Sequence, residues 1–418
     1  MYRAVRAVVV VAMMLSVGGC GQQVGDGGWS ADTEGRKGLG KVPATELGFV
    51  RHGGAVEWPA VSDWIPQGQG LQRLLPVGAC VLGIGTYQNG FRAVGANWTG
   101  NEACDRLAID PAPGGSDAGG DRPPGKGGGW AGGGVGGDGF VVEAEGSVLA
   151  AGGSGLYRYR GGEPQQLARL DLSTTGFEGQ GSRSLVRGMV RTAGGRIVVN
   201  ADLTAKKEQP PAVLVSDDGG VTLRRVDLPA APRQGRAERQ LLAVLAADGD
   251  TLVAIGYGWD QPGAWRSTDG GRTWQVSTVE GLPASLVLTR LVKAGDRWLA
   301  FGGIEGGGQQ DSTYVLTSAD GLTWTRGTVD GMGAGRVSDV TVGHDGTVVV
   351  VGVIDDSRQH KVDERNDYCG VVWLGDGAGA WQRGELGCGD APPQAVATLR
   401  DGRVVIAGNR DLWVRAAT

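Results

Sequence analysis

Five cysteines and three histidines are the side chains of this 418-residue chain best suited to nucleophilic or metal chemistry. His52, His344 and His360 are scattered, so neither a histidine metal site nor a catalytic triad has a cluster to rest on. No two cysteines have the C-x-x-C spacing of a zinc site. No metal, no cofactor and no catalytic residue is therefore assigned. Cys80, Cys104, Cys369 and Cys388 form an even set, which in an exported chain reads as two disulfides. Proximity favours Cys80–Cys104 and Cys369–Cys388 over the other pairings. The second pair brackets Gly370–Leu374, a Gly-rich turn and Trp381-Gln382-Arg383. Its thiols stand at the open end of a hairpin, where cross-strand partners meet the ~5.5–6 Å Cα spacing of a disulfide.

The fifth cysteine has a different setting. Arg3 and Arg6 precede Ala7–Val17, an almost wholly apolar run. It falls short of the ~20 residues a membrane-spanning helix needs and fits the apolar region of a secretory signal. It leads into Leu15-Ser16-Val17-Gly18-Gly19-Cys20, which resembles a bacterial lipobox, with Val17 where Leu is preferred. Small residues open the backbone to the signal peptidase, and the Cys20 thiol takes the lipid. The expected layout is a lipoprotein signal peptide over 1–19 and a polar, Gly-rich tether over 20–44. The ring described below then hangs from the cell membrane on its extracytoplasmic face. Removing Arg3 and Arg6 leaves 38 basic against 45 acidic side chains, which lacks the basic footprint of a nucleic-acid binder.

The elements that carry these residues are short strands. Of the 418 residues 79 are Gly, against a usual ~7%, yet there is no collagen period and 40% of residues are hydrophobic. One pattern recurs seven times: Cys80–Gly85, Ser147–Gly152, Arg196–Ala201, Thr251–Gly256, Arg297–Gly302, Thr347–Gly352 and Arg403–Gly408. Each is an apolar run closed by Gly, with Ala201 the one replacement, and reads as a strand buried on both faces. Apolar segments precede them (Leu241–Leu245, Leu286–Val292, Val337–Val342, Ala395–Leu399) and further strands follow (among them Gly90–Gly95, Gly263–Ser267 and Gly370–Leu374). Four strands per ~50 residues is the signature of a β-propeller blade. The expected fold is all-β: a seven-bladed β-propeller over 45–418, with a Gly-rich loop insertion over 111–139. The last unit runs out after three strands, and Leu47–Arg51 is the candidate for its outer strand. An N-terminal strand closing the last blade removes an open sheet edge.

Three turns share a further pattern. Ser267-Thr268-Asp269-Gly270-Gly271-Arg272-Thr273-Trp274 fits Ser-x-Asp-x-Gly-x-Thr-Trp in full. Ser216, Asp218, Gly220 and Thr222 repeat it with Leu223 for Trp, and Ser318, Asp320, Gly321, Thr323 and Trp324 repeat it one residue shorter. Gly375–Trp381 is a decayed fourth copy. These resemble the Asp-box, or BNR, repeats of sialidase-like and sortilin-like propellers, clearly over 213–383 and elsewhere only in blade period. The resemblance implies a structural role at the blade periphery: the Asp accepts turn N–H groups, Gly supplies positive φ, and Trp packs on its own blade.

A sialidase-like enzyme also needs an arginine cluster for the substrate carboxylate, a Tyr nucleophile with an acidic partner, and an Asp acid/base. The nearest match to the family's early Arg motif is Phe91-Arg92-Ala93-Val94, in a third strand rather than facing the axis. The expected function is accordingly a non-catalytic, lipid-anchored, monomeric β-propeller that binds a protein or glycan. A sialidase-like glycoside hydrolase and an assembly factor for a membrane complex are the alternatives.

Overall fold

The computed structural model describes residues 42–58, 70–89, 92–109, 139–152, 155–160, 165–170, 186–201, 210–231, 241–257, 262–283, 286–304, 312–333, 335–355, 368–389, 393–408 and 410–417. Their strands form seven sheets. Each of the seven Gly-closed runs is the second strand of one sheet. The inner strands are Gly70–Val77, Phe140–Val142, Val186–Arg191, Leu241–Asp248, Leu286–Ala294, Arg336–Val342 and Ala395–Thr398. Each touches the next around a closed circle, blade 7 meeting blade 1. The chain is thus a seven-bladed β-propeller. Strand order gives the ring two faces. A hairpin face carries the turns from inner to second and from third to outer strands. A crossover face carries the remaining connections.

The apolar runs are buried because each blade is covered on both sides. The described residues hold seven apolar clusters, each joining two adjacent blades. The closing glycines answer to a second constraint. Gly85, Gly256, Gly302 and Gly352 pair with Leu71, Leu242, Leu288 and Val337, just before a β-bulge in the inner strand. A Cβ on any of them would be driven into the carbonyl oxygen of Gly70, Leu241, Val287 or Arg336. The bulge bends the inner strand toward its neighbour, and only a bare α-carbon leaves room.

The N-terminal segment closes the ring. Phe49–His52 is the antiparallel outer strand of blade 7, on Leu412–Arg415. Val42–Pro43, inside the stretch expected to be tether, runs parallel to the outer strand of blade 6, opposite Gly384 and Glu385. Ala44 and Leu47 lie against the bare α-carbon of Gly384, which admits them. Farther on, Glu57 donates its N–H to the Leu107 carbonyl (2.9 Å) and Leu107 donates to that of Ala55 (2.8 Å), reaching blade 1. One segment therefore ties blades 6, 7 and 1.

The third strand of blade 1 is Arg92–Gly100, longer than the Gly90–Gly95 read from sequence. It carries Trp98, fully buried, whose indole N–H donates to the Glu57 carbonyl at 2.7 Å. Trp265 and Trp373, also in third strands, donate to the carbonyls of Pro229 (2.7 Å) and Met332 (2.9 Å) in the crossovers leading to their own blades. A buried indole needs such a partner, and the same need is met three times by the same device.

Candidate functional site

The axis is where a propeller brings its blades closest, and the inner strands place charge there. Asp339 follows the blade 6 bulge and is fully buried. Its Oδ1 accepts from Arg73 Nη1 of blade 1 (2.5 Å) and Arg290 Nε of blade 5 (2.6 Å), and also from its neighbour Val340 N–H (2.9 Å). Its Oδ2 accepts the N–H of Val396 in blade 7 at 3.1 Å. Arg73 and Arg290 follow bulges at the same place in their own strands. Burial alone would raise the Asp339 pKa, but the two guanidinium groups and the Val396 N–H hold it below the usual carboxylate range. One carboxylate thus fastens four blades. Its sequence signal was an acidic residue inside the apolar run Val337–Val342, with Arg at the matching place in Leu286–Val292, and the motif reading passed over it.

Toward the hairpin face the axis widens into an open cavity of about 550 Å³ between blades 4, 5 and 6. Asp248, Lys293 and Thr341 are its polar lining, with Leu291 and Val340 among the apolar groups. Lys293 lies over the Trp298 ring at 5.2 Å. No group of three or more His, Cys, Asp or Glu able to hold a metal ion occurs among the described residues.

The three Ser-x-Asp turns that resemble Asp boxes lie between third and outer strands on the hairpin face. In blade 4, Ser267 Oγ accepts the Gly271 N–H (2.8 Å) and donates to Asp269 Oδ1 (2.8 Å). Asp269 accepts the N–H groups of Arg272 and Thr273 (both 2.9 Å) and the Thr273 hydroxyl (2.6 Å). Ser216, Asp218, Gly220 and Thr222 repeat these bonds in blade 3. Ser318, Asp320, Gly321 and Thr323 do so in blade 5. The indoles of Trp274 and Trp324 donate back to the carbonyls of Gly271 and Gly321. In the fourth copy Asp376 still accepts the N–H groups of Ala378 and Gly379.

Every bond to these carboxylates favours the charged form. The Thr222 hydroxyl and N–H, then Ser216, bring Asp218 to about 2. Asp320 falls to about 2 because the Thr323 and Leu322 N–H groups outweigh its desolvation. Asp269 is lowered further on the same balance, chiefly through Thr273. Carboxylates so occupied are turn locks, with no proton to exchange near neutral pH.

The boxes also touch their neighbours. Gly219 accepts from Arg158 of blade 2 (3.0 Å), and Gly270 from Arg196 of blade 3 (3.0 Å). A Cβ on Gly321 or Gly377 would strike Val253 of blade 4 or Leu299 of blade 5. The turns therefore help weld one blade to the next.

Cys80 and Cys104 are disulfide-bonded. Cys369 stands opposite Cys388 in the ladder, the placement the hairpin reading required; the Cys388 side chain lies outside the described residues. Cys20 and His360 also lie outside them, as do Phe91 and most of the 111–139 insertion. His52 is in the outer strand of blade 7, and His344 is exposed in a hairpin turn. His52 and His344 belong to no group of three or more possible metal ligands among the described residues.

No family model and no curated protein matches the chain. Solved structures do. An ulvan lyase of polysaccharide lyase family PL25 shares 12% identity over 85% of this chain and 95% of its own, with a TM-score of 0.51. The N-terminal domain of Nup159 shares 12% over 88% and 95%, at 0.47. A streptogramin B lyase shares 12% over 88% and 97%, at 0.46. At such identities the likeness is one of fold.

Proposed function

We propose that this chain is a non-catalytic β-propeller, anchored through lipid on Cys20 at the extracytoplasmic face of a bacterial membrane, that binds a protein or glycan. The observation that carries the reading is the Asp339 cluster. A ring-shaped hydrolase of sialidase type presents arginines at its axis to a substrate carboxylate. Here Arg73 and Arg290 both hold a carboxylate of the chain itself, and Asp339, engaged on both oxygens, is not placed to act as acid or base. The exported, oxidised setting fits the Cys80–Cys104 disulfide.

Mass spectrometry of the membrane-extracted chain tests the anchor: a diacylglyceryl-modified Cys20 at the N-terminus is expected, and an unmodified cleaved terminus overturns it. The full chain in detergent, run on a glycan array and against fluorogenic glycosides, tests the rest. Binding without turnover supports the reading, and release of fluorophore that depends on Arg73 or Arg290 replaces it with the hydrolase. Recovery of a membrane complex from detergent extracts, with no glycan bound, moves the assignment to assembly.

A further inference from the structure

Blade 1 makes its turn between third and outer strands differently from blades 3, 4 and 5. The turn Gly100-Asn101-Glu102-Ala103-Cys104-Asp105-Arg106-Leu107 has the same length and ladder register as the Ser267–Trp274 turn, but Asn101 Oδ1, one residue before the place of Asp269, accepts its Asp105 and Arg106 N–H groups. Thr99 pairs with the third residue of the second strand, Leu82, so Gly100 stands where Ser267 stands opposite Leu252 in blade 4. Cys104 then falls on the box glycine, and its φ is 59°, beside 82° at Gly271 and 97° at Gly220. A side chain adopts that backbone rarely. Gly100 lacks the serine hydroxyl that ties the box, and its bare α-carbon leaves room for Cys80 Sγ, which a Cβ would strike. The Cys80–Cys104 bond, buried at both ends, fastens this turn to its sheet in place of the Ser267–Gly271 hydrogen bond.

The same turn is gripped from blade 7. Arg403 donates from Nη1 to the Ala103 carbonyl and from Nη2 to the Ala79 carbonyl, both at 2.9 Å. Those are the residues immediately before Cys104 and Cys80. Asp401 aims the guanidinium by accepting from Nε at 2.7 Å. Arg196, also just before a second strand, reaches Gly270 of blade 4 in the same way. Blades 3 and 4 are consecutive in the chain, however, whereas the three strands of blade 7 within Ala395–Arg415 are held to blade 1 and to the N-terminal strand Phe49–His52 by non-covalent contacts alone.

We propose that the Cys80–Cys104 disulfide is an oxidation-dependent latch for ring closure. It fixes the Ala79 and Ala103 carbonyls as the acceptor pair that Arg403 grips, so the blade 7–blade 1 seam is fully locked only in the oxidised protein. In the forward step one cysteine thiolate attacks a disulfide of a thiol–disulfide oxidant, expelling one donor thiolate and forming a mixed disulfide. The second cysteine thiolate then displaces the donor's remaining sulfur. The donor leaves as a dithiol, carrying two electrons, and the two cysteine protons pass to solvent or to the donor. A dithiol reductant runs the exchange backward once local opening exposes the sulfurs.

Hydrogen exchange on the full chain tests the latch, in the wild type with and without dithiothreitol and in C80S/C104S. Exchange in Ala103–Leu107 and Leu399–Val405 should rise about tenfold on loss of the disulfide, while Leu252–Ile255 in blade 4 stays unchanged. Arg403→Ala should accelerate the same segments in the oxidised protein and add little in C80S/C104S. Additive effects of the two changes, or a rise equal in blade 4, overturn the proposal. C80S/C104G provides a second background that keeps the turn conformation accessible. There too Arg403→Ala should add little, and an effect as large as in the oxidised wild type overturns the latch, because the turn conformation without the disulfide would then fix the acceptor pair.

Discussion

Ring closure by the N-terminal segment can be weighed at a single side chain. Phe49 is 1% exposed and packs with Val404, Ile406 and Trp413 of blade 7 and Val349 and Val351 of blade 6. Its neighbour Val50, in the same strand, is 58% exposed. Truncating a buried Phe to Ala costs about 3–5 kcal/mol, from lost burial and the cavity left behind. A ring spanning residues 42–418 melts with an entropy of about 0.8 kcal/mol/K on the usual per-residue value. Phe49→Ala should therefore lower Tm by about 4–6 °C. Val50→Ala, at the surface, should cost under about 0.5 kcal/mol and shift Tm by less than about 1 °C. Differential scanning calorimetry of both variants beside the wild type measures the difference. Equal melts for the two would refute the closure, because the side-chain alternation of a docked strand would then have no consequence. Removing residues 45–58 altogether should lower the melt far more than Phe49→Ala alone.

Asp339→Asn should cost about 3–5 kcal/mol in urea titrations, because it leaves two guanidinium groups facing a neutral amide in the interior. Asp320 has a folded pKa of about 2 against 3.8 for the free group, so its stabilisation is present above about pH 4 and is lost as pH falls toward 2. Asp320→Asn should flatten the fall of Tm with pH across that window and leave the slope above pH 5 unchanged. Gly302→Ala should destabilise by about 1–3 kcal/mol or shift the blade 5 bulge, since its methyl group meets the Val287 carbonyl. A denaturation midpoint equal to wild type would show the glycine to be dispensable there.

The blades were legible because their physics is local and repeated. An apolar run buried on both faces, a Gly where the bulged neighbour presses, and a Ser-x-Asp turn each leave a mark within eight residues, and the marks recur at blade spacing. The missing outer strand of the last blade pointed to an N-terminal donor before any coordinates. Proximity in the chain favoured the Cys80–Cys104 pairing, which the structure contains. By contrast, the docking of Val42–Pro43 on blade 6 was not legible. Val42-Pro43-Ala44 is a short apolar stretch with no repeat to mark it, and the gap above Gly384 gives it a place.

The sequence by itself determined the all-β class and the sevenfold repeat, and it favoured the first disulfide. Each depends on residues near one another in the chain. Tertiary structure alone decided what the axis contains. Arg73, Arg290, Val340 and Val396 are spread over more than 300 residues, and nothing in their local sequence says that the Asp339 carboxylate will receive all four. The same holds for Arg403 and the two carbonyls beside the disulfide. Circular closure brings the last blade onto the first, and contacts made across that seam have no period or spacing to announce them.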